Sequence, residues 1–187
     1  MKKFILSEDI CVLLKRWGDT YGFVVPSSEF ILQLRERLKS TLEGIFGTGN
    51  IECITAQNLT AGAHELFQCV QIPIVSLDKS YSSAPLKIEI NRAVNEALED
   101  CGEVERFHCL SIVEQIRILK NQGLDEIALF DDVIFSGNGI LKIVKLCEGF
   151  GIKVALVITG IGIGNGVKRI QDYGIPVRYI YFYEQVI

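Results

Sequence analysis

Two adjacent carboxylates followed by a loop of small residues are the feature of this sequence most able to do chemistry. The apolar run 127–130 ends in Asp131 and Asp132, and the small residues 136–139, Ser-Gly-Asn-Gly, follow shortly after. Neighbouring like charges repel, and neither can be buried cheaply without a partner. Two such acids can accept hydrogen bonds from two vicinal hydroxyls, while a glycine-rich loop opening a helix offers N–H groups to an anion. The pattern predicts a site for a ribose 5′-phosphate, and the alternative is solvated acids at a strand end.

The elements around this stretch alternate between strand and helix signals, which predicts a parallel sheet of about four to six strands covered by helices. In such sheets ligands bind at the carboxyl ends of the strands, where the two acids would lie. Strands are predicted at residues 51–56, 72–78, 127–132, 153–159 and 176–187, and a loop at 160–166. Helices are predicted at 27–45, 90–100, 111–123, 139–151 and 167–174, and a first helix begins near residue 9 and ends at Gly18 or Gly22.

Composition narrows the class of protein. The chain has 187 residues, 49% hydrophobic and 22% charged, with a net charge of −4. It shows no basic stripe, which argues against nucleic acid as a partner, and no apolar run of the roughly 18 residues that a membrane span needs. Glu8 and Asp9 interrupt the N-terminal apolar stretch before a signal-peptide core forms, and the six cysteines form no CxxC pair, so we expect a cytoplasmic protein with reduced thiols.

Residues 127–139 resemble the signature of the type I phosphoribosyltransferases, which bind phosphoribosyl pyrophosphate (PRPP). In that signature an apolar strand, two acids, two apolar residues and a variable residue precede a Thr/Ser-Gly phosphate loop. The resemblance implies that Asp131 and Asp132 are catalytic acids that orient the ribose. It implies a phosphate-binding loop made of Phe135, Ser136, Gly137, Asn138 and Gly139. Two positions depart from the family: Gly139 replaces a usual threonine, and Phe135 stands where 6-oxopurine enzymes carry an aspartate.

The same resemblance implies a fold and a division of the chain. The fold is α/β, with a parallel-sheet, Rossmann-like type I phosphoribosyltransferase core flanked by helices and a small hood. Residues 1–187 are expected to form a single domain, with an N-terminal helical or hood segment at 1–49 and the PRPP-binding core at 50–187.

Two segments upstream resemble other parts of hypoxanthine-guanine-type members. Leu59-Thr60-Ala61-Gly62 matches the Leu-Lys-Gly-Gly pyrophosphate loop without its lysine, so Thr60, Ala61 and Gly62 are candidate substrate-binding residues. Lys79-Ser80-Tyr81 matches the mobile loop that closes over the reacting centre, so Lys79 is a candidate catalytic cation and Ser80 and Tyr81 candidate substrate contacts. The alternatives are a plain turn for the first segment and an exposed turn with a solvated lysine for the second.

By resemblance, the reaction transfers 5-phosphoribose from PRPP to a nitrogen nucleophile, expected to be a nucleobase, and releases pyrophosphate. It implies Mg²⁺ as the cofactor, held through PRPP and only indirectly by Asp131 and Asp132, and a homodimer. A second hypothesis is a PRPP- or nucleotide-binding sensor without turnover, because the lysines of the pyrophosphate loop and the base site are missing; Thr159-Gly160 stands at the base-site position. A third is an α/β structural protein that binds no PRPP.

Overall fold

A computed structural model describes residues 3–78, 84–97 and 100–187 of the chain. Strands and helices alternate along most of this length. Their bounds are β1 (Phe4–Ser7), α1 (Asp9–Tyr21), α2 (Ser28–Phe46), β2 (Ile51–Ile54), α3 (Ala56–Gln68), β3 (Ile74–Ser76), β4 (Leu86–Lys87), β5 (Ile90–Val94), β6 (Asp100–Glu105), α4 (Ile112–Asn121), β7 (Glu126–Ile134), α5 (Asn138–Gly149), β8 (Lys153–Ile163), α6 (Gly164–Asp172) and β9 (Val177–Tyr183).

A five-stranded sheet in the order β4-β3-β7-β8-β9 is the centre of the fold, and every neighbouring pair in it is parallel. The side chains of β7 alternate between two cores, because successive residues of a strand face opposite sides of the sheet. Ile127 and Leu129 pack with the apolar faces of α4, α5 and α6, whereas Ala128 and Phe130 pack with residues of α3. This arrangement confirms the predicted α/β fold with a parallel sheet flanked by helices.

The chain divides into two compact units, Met1–Ala61 with Gln185–Ile187 and Gly62–Glu184. The predicted single domain with segments 1–49 and 50–187 stays a prediction. In the first unit, β2 pairs with β1 in a separate two-stranded parallel sheet, with Phe4 opposite Ile51. The prediction that residues 51–56 form the first strand of the main sheet is wrong, since their partner is the N-terminal strand.

The helices α1 and α2 lie where the sequence predicts helices, and α1 ends at the second of its two predicted stops, Gly18 and Gly22. Ser27 Oγ accepts a hydrogen bond from the N–H of Phe30 at 3.2 Å and caps α2, and α1 ends at Gly22 in the left-handed conformation. Within the described residues, we find no helix with the length and apolar character required to traverse a membrane.

The predicted helix at 90–100 is wrong, because residues 90–94 form β5 and pair antiparallel with β6, which begins at residue 100; we call this pair of strands the hairpin. Leu86, Ile88 and Ile90 alternate with polar residues, and this period-two pattern outweighs the helix-forming composition of the residues that follow. The predicted loop at 160–166 is also wrong. Its first half continues β8, where Ile161 lies opposite Tyr181 of β9, and its second half begins α6.

Candidate functional site

A cleft of about 480 Å³ lies at the carboxyl end of β7, within the second unit. The predicted acids and all five predicted loop residues line it together. The lining consists of Leu77, Asp78, Ile90, Asn91, Arg92, Glu103, Asp131, Asp132, Val133, Ile134, Phe135, Ser136, Gly137, Asn138, Gly139 and Ile140. The structure thus brings the carboxylate pair and the small-residue loop into one cavity, as a sugar phosphate would require.

The backbone of β7 orients both carboxylates. The N–H of Asp132 donates to Asp131 Oδ1 at 3.1 Å, and the N–H of Val133 donates to Asp132 Oδ1 at 2.9 Å. Asp131 also lies in register with Thr159 of the neighbouring strand β8, and the Thr159 side chain is fully buried. Because the acids are held by the strand itself, they form a preorganised wall of the cleft rather than mobile surface groups.

The cleft concentrates negative charge beside Asp131. Burial raises the pKa of the Asp131 carboxyl well above its ordinary value, and the charges of Asp132 and Asp78 raise it further. Asp78 is itself only 4% exposed, at the end of β3 next to β7. A ligand that donates hydroxyl hydrogen bonds or brings a cation would stabilise the charged form of these acids, which matches the chemistry of a metal-bound polyol phosphate.

The loop after β7 depends on glycine. Gly137 has φ 75° and ψ −4°, and a Cβ atom there would lie 2.8 Å from the carbonyl oxygen of Gly166 on α6. Asn138 Oδ1 accepts a hydrogen bond from the Arg169 guanidinium, and Ser136 Oγ accepts from the N–H of Asn138 at 3.4 Å. The first N–H groups of a helix lack intrahelical partners, and the residues that open α5, Asn138, Gly139 and Ile140, all line the cleft.

The hairpin of β5 and β6 supplies residues that the sequence analysis missed. Asn91, Arg92 and Glu103 line the cleft, and Arg92 lies directly opposite Glu103 in the ladder. The carboxylate of Glu103 lies against Gly139, so a Cβ atom at that position would require the Glu103 side chain to move. The alternation of apolar and polar residues at 86–90 is a local signal for strand structure. No local signal indicates that the hairpin packs at the cleft.

The first upstream segment is not a loop. Thr60, Ala61 and Gly62 lie inside α3, which begins after Thr55, whose Oγ1 accepts from the N–H of Asn58 at 3.1 Å. Thr60 and Ala61 end the first unit and Gly62 opens the second. A Cβ atom on Gly62 would lie 2.7 Å from the Ile180 side chain, so this glycine is required for packing of the helix against β9. The loop prediction is wrong in backbone conformation, and pyrophosphate binding by these residues stays a prediction.

The second upstream segment, Lys79-Ser80-Tyr81, lies outside the described residues. The strand before it, β3, ends at Ser76, close to the predicted position. The lid function of this segment stays a prediction.

The donor set of the cleft suits magnesium held through a substrate. Within the residues that the structure describes, no group of three or more His, Cys, Asp or Glu side chains is arranged to hold a metal ion directly. The carboxylates of Asp78, Asp131 and Asp132 are hard oxygen donors along one wall. Magnesium usually keeps several waters and binds one or two carboxylates together with substrate phosphates, so these residues fit an indirectly held ion.

Comparison with known proteins supplies relatives of this chain. No family model matches it. It is 25% identical over 163 residues to the hypoxanthine/guanine phosphoribosyltransferase of Methanosalsum zhilinae, covering 86% of this chain and 80% of that protein. A protein of the same name from Methanosarcina acetivorans is 30% identical over 56 residues, 30% of each chain. The crystal structure of the Giardia lamblia APRTase complexed with 9-deazaadenine has a TM-score of 0.44 at 13% identity, covering 70% of this chain and 80% of that one.

The match to the Methanosalsum protein spans most of both chains. The chain is thus similar over most of its length to a protein named hypoxanthine/guanine phosphoribosyltransferase, and its parallel sheet is the fold class that the resemblance of residues 127–139 implies.

Proposed function

We propose that the protein transfers 5-phosphoribose from PRPP to a nitrogen atom of a nucleobase and releases pyrophosphate, a reaction of nucleotide metabolism. The observation that carries this proposal is the single cleft that joins Asp131 and Asp132 to the loop 135–139. The relative from Methanosalsum zhilinae is named as a hypoxanthine/guanine phosphoribosyltransferase, which supports a nucleobase as the acceptor.

In this proposal the two acids bind the 2′- and 3′-hydroxyls of the ribose. Their carboxylates are oriented by backbone N–H groups, so little rearrangement is needed when the sugar binds. Negative charge beside the sugar also stabilises the positive charge that develops at the anomeric carbon in an oxocarbenium-like transition state. Ser136, Gly137, Asn138 and Gly139 bind the 5′-phosphate with their N–H groups and the Ser136 hydroxyl. The N–H of Asn138 exchanges its long bond to Ser136 Oγ for a phosphate oxygen.

We also propose that Mg²⁺ accompanies PRPP. The cation neutralises the departing pyrophosphate. The acidic lining of the cleft, with Asp78, Asp131 and Asp132 along one wall, supports a requirement for a bound cation, because a bare polyphosphate would meet like charge there. Lys79, Ser80 and Tyr81 are proposed to close over this end of the substrate.

The test is pyrophosphate release from PRPP and Mg²⁺ across a panel of hypoxanthine, guanine, adenine and orotate. We expect release with at least one base and none without a base. The Asp131→Asn variant should lose this activity, while Asp125→Asn, which changes an exposed acid paired with Lys120, should retain it. Equal activity of the Asp131 and Asp125 variants would contradict the proposal.

A second candidate is a PRPP-binding protein without turnover, and one observation favours it. Thr60 to Gly62 are helical, so their N–H groups are used within α3 instead of facing a pyrophosphate. Binding of PRPP and Mg²⁺ in isothermal titration, with no pyrophosphate released on any base, would select this candidate.

A cytoplasmic location and a homodimer complete the proposal. Four of the six cysteines, Cys53, Cys69, Cys109 and Cys147, are free thiols, which supports a reducing compartment. The helix α2 contains no buried residue, and it exposes Phe30, Leu38 and Ile45, which supports association with a second copy. Light scattering during size-exclusion chromatography tests the dimer.

A further inference from the structure

Negatively charged side chains outnumber positively charged ones among the described residues that line the cleft. Four carboxylates line it, from Asp78, Glu103, Asp131 and Asp132, whereas among the described lining residues Arg92 is the only cation. A dianionic phosphate binds poorly where acids predominate unless a cation meets it directly. Arg92 is therefore the described lining residue that can meet a phosphate with a positive charge. It lies on the hairpin, outside the strand and loop of the signature.

The hairpin holds its two charged residues at the loop. Arg92 on β5 and Glu103 on β6 are ladder partners, so their side chains leave the same face of the hairpin and both line the cleft. Glu103 lies against Gly139, and Lys142 Nζ on α5 donates to the backbone carbonyl of Glu103 at 2.8 Å. These contacts fasten the hairpin to the first turns of α5, where the proposed 5′-phosphate site lies.

We propose that Arg92 binds the 5′-phosphate of the ligand and that Glu103, its facing residue, opposes phosphate binding at the same position. This inference rests on the proposed function and adds two residues that the family signature does not contain. Arginine suits the role because its planar guanidinium can make two parallel hydrogen bonds to phosphate oxygens. Glu103 fills the space beside Gly139 and competes with the phosphate for Arg92, so phosphate binding must displace its carboxylate.

The experiment measures the dissociation constants of ribose 5-phosphate, ribose and PRPP with Mg²⁺ for the wild type and for Arg92→Gln, Arg92→Lys and Glu103→Gln. We expect Arg92→Gln to weaken ribose 5-phosphate binding by about tenfold or more, with Arg92→Lys between it and the wild type. Ribose, which has no phosphate, should bind both variants and the wild type alike.

Glu103→Gln should change affinity in the opposite direction and strengthen ribose 5-phosphate binding several-fold, because it removes a like charge. A merely structural hairpin would lose affinity with either substitution, so opposite signs separate the two roles. Matched controls are Arg37→Gln on the exposed face of α2 and Glu105→Gln, which is exposed on the same strand as Glu103 but does not line the cleft.

Two failures can be told apart. If the wild type binds neither ribose 5-phosphate nor PRPP, the proposed function is wrong, and this inference falls with it. If the wild type binds both and Arg92→Gln binds them equally well, the inference is wrong while the proposed function stands. Weaker binding by Glu103→Gln would also overturn it.

Discussion

The loop that follows β7 and the segment at 59–62 both match phosphate-binding motifs, yet their backbones differ. Residues 135–139 leave a strand, pass through a left-handed glycine and open a helix, and all five residues line the cleft. Residues 59–62 are regular helix, and their glycine contacts Ile180. A motif of small residues is therefore evidence of a phosphate site only where the strand and helix around it leave backbone donors unused.

The largest expected effect comes from the acids that accompany the first of these segments. Asp131→Asn combined with Asp132→Asn should weaken PRPP binding by about 3–6 kcal/mol, because two charge-assisted hydrogen-bonding groups are lost at about 1.5–3 kcal/mol each. Isothermal titration with PRPP and Mg²⁺ measures this. Asp125→Asn is the control, since that acid forms an exposed ion pair with Lys120. Unchanged affinity in the double variant would remove both acids from the site.

A glycine substitution in the loop should have the next largest effect. Gly137→Ala places a side chain at φ 75° and against the Gly166 carbonyl, and it should cost about 1–3 kcal/mol of folding stability. Urea unfolding gives the value. Gly44→Ala is the matched control within helix α2, where a Cβ atom meets nothing within 4 Å, and it should stabilise by roughly 0.5–1 kcal/mol. If both variants were stabilised, the strained loop conformation would be contradicted.

The glycine of the helical segment should respond through packing. Gly62→Ala should destabilise by about 1–3 kcal/mol, because its Cβ atom overlaps the Ile180 side chain. A double-mutant cycle with Ile180→Ala measures the coupling, and the double variant should be more stable than the sum of the two single changes predicts. Additive losses would mean that Gly62 is required for something other than this contact.

The smallest expected effect is a pH dependence. The pKa of Asp131 is higher in the folded chain than its ordinary value of 3.8, so the folded state binds this proton more tightly than the unfolded state. The group therefore favours folding at low pH and loses that contribution as the pH rises from 3.8 through the raised folded pKa. The Asp131→Asn variant should exceed the wild type in unfolding free energy at neutral pH.

Urea unfolding at several pH values measures the difference between that variant and the wild type, which should shrink toward pH 4. A difference that does not change with pH would show that the carboxyl of Asp131 is not buried among like charges. If Asp131→Asn is more stable at neutral pH and also loses PRPP binding, then Asp131 lowers the folding stability of the protein while it contributes to ligand affinity.

Much of the second unit could be read from the sequence. The strand before Asp131, the helix α4 with its Ser111 cap and the helix α5 all follow from periodicity and local capping. The hairpin of β5 and β6 was missed because the composition of 93–100 favours helix, and strand pairing depends on a partner that local patterns do not identify. The pairing of β1 with β2 was missed for the same reason.

The sequence by itself determined that the acids and the small-residue loop follow a strand. The apolar strand pattern, the carboxylate pair and the glycine turn are all properties of residues that are adjacent in the sequence. Contacts between distant parts of the chain settled the rest. Gly62 is needed for packing because Ile180, far along the chain, lies against it, and Arg92 reaches the cleft because β6 pairs with β5 and Lys142 holds that hairpin. Such contacts depend on how the helices and strands pack in space. They cannot be predicted from the residues that are adjacent in the sequence.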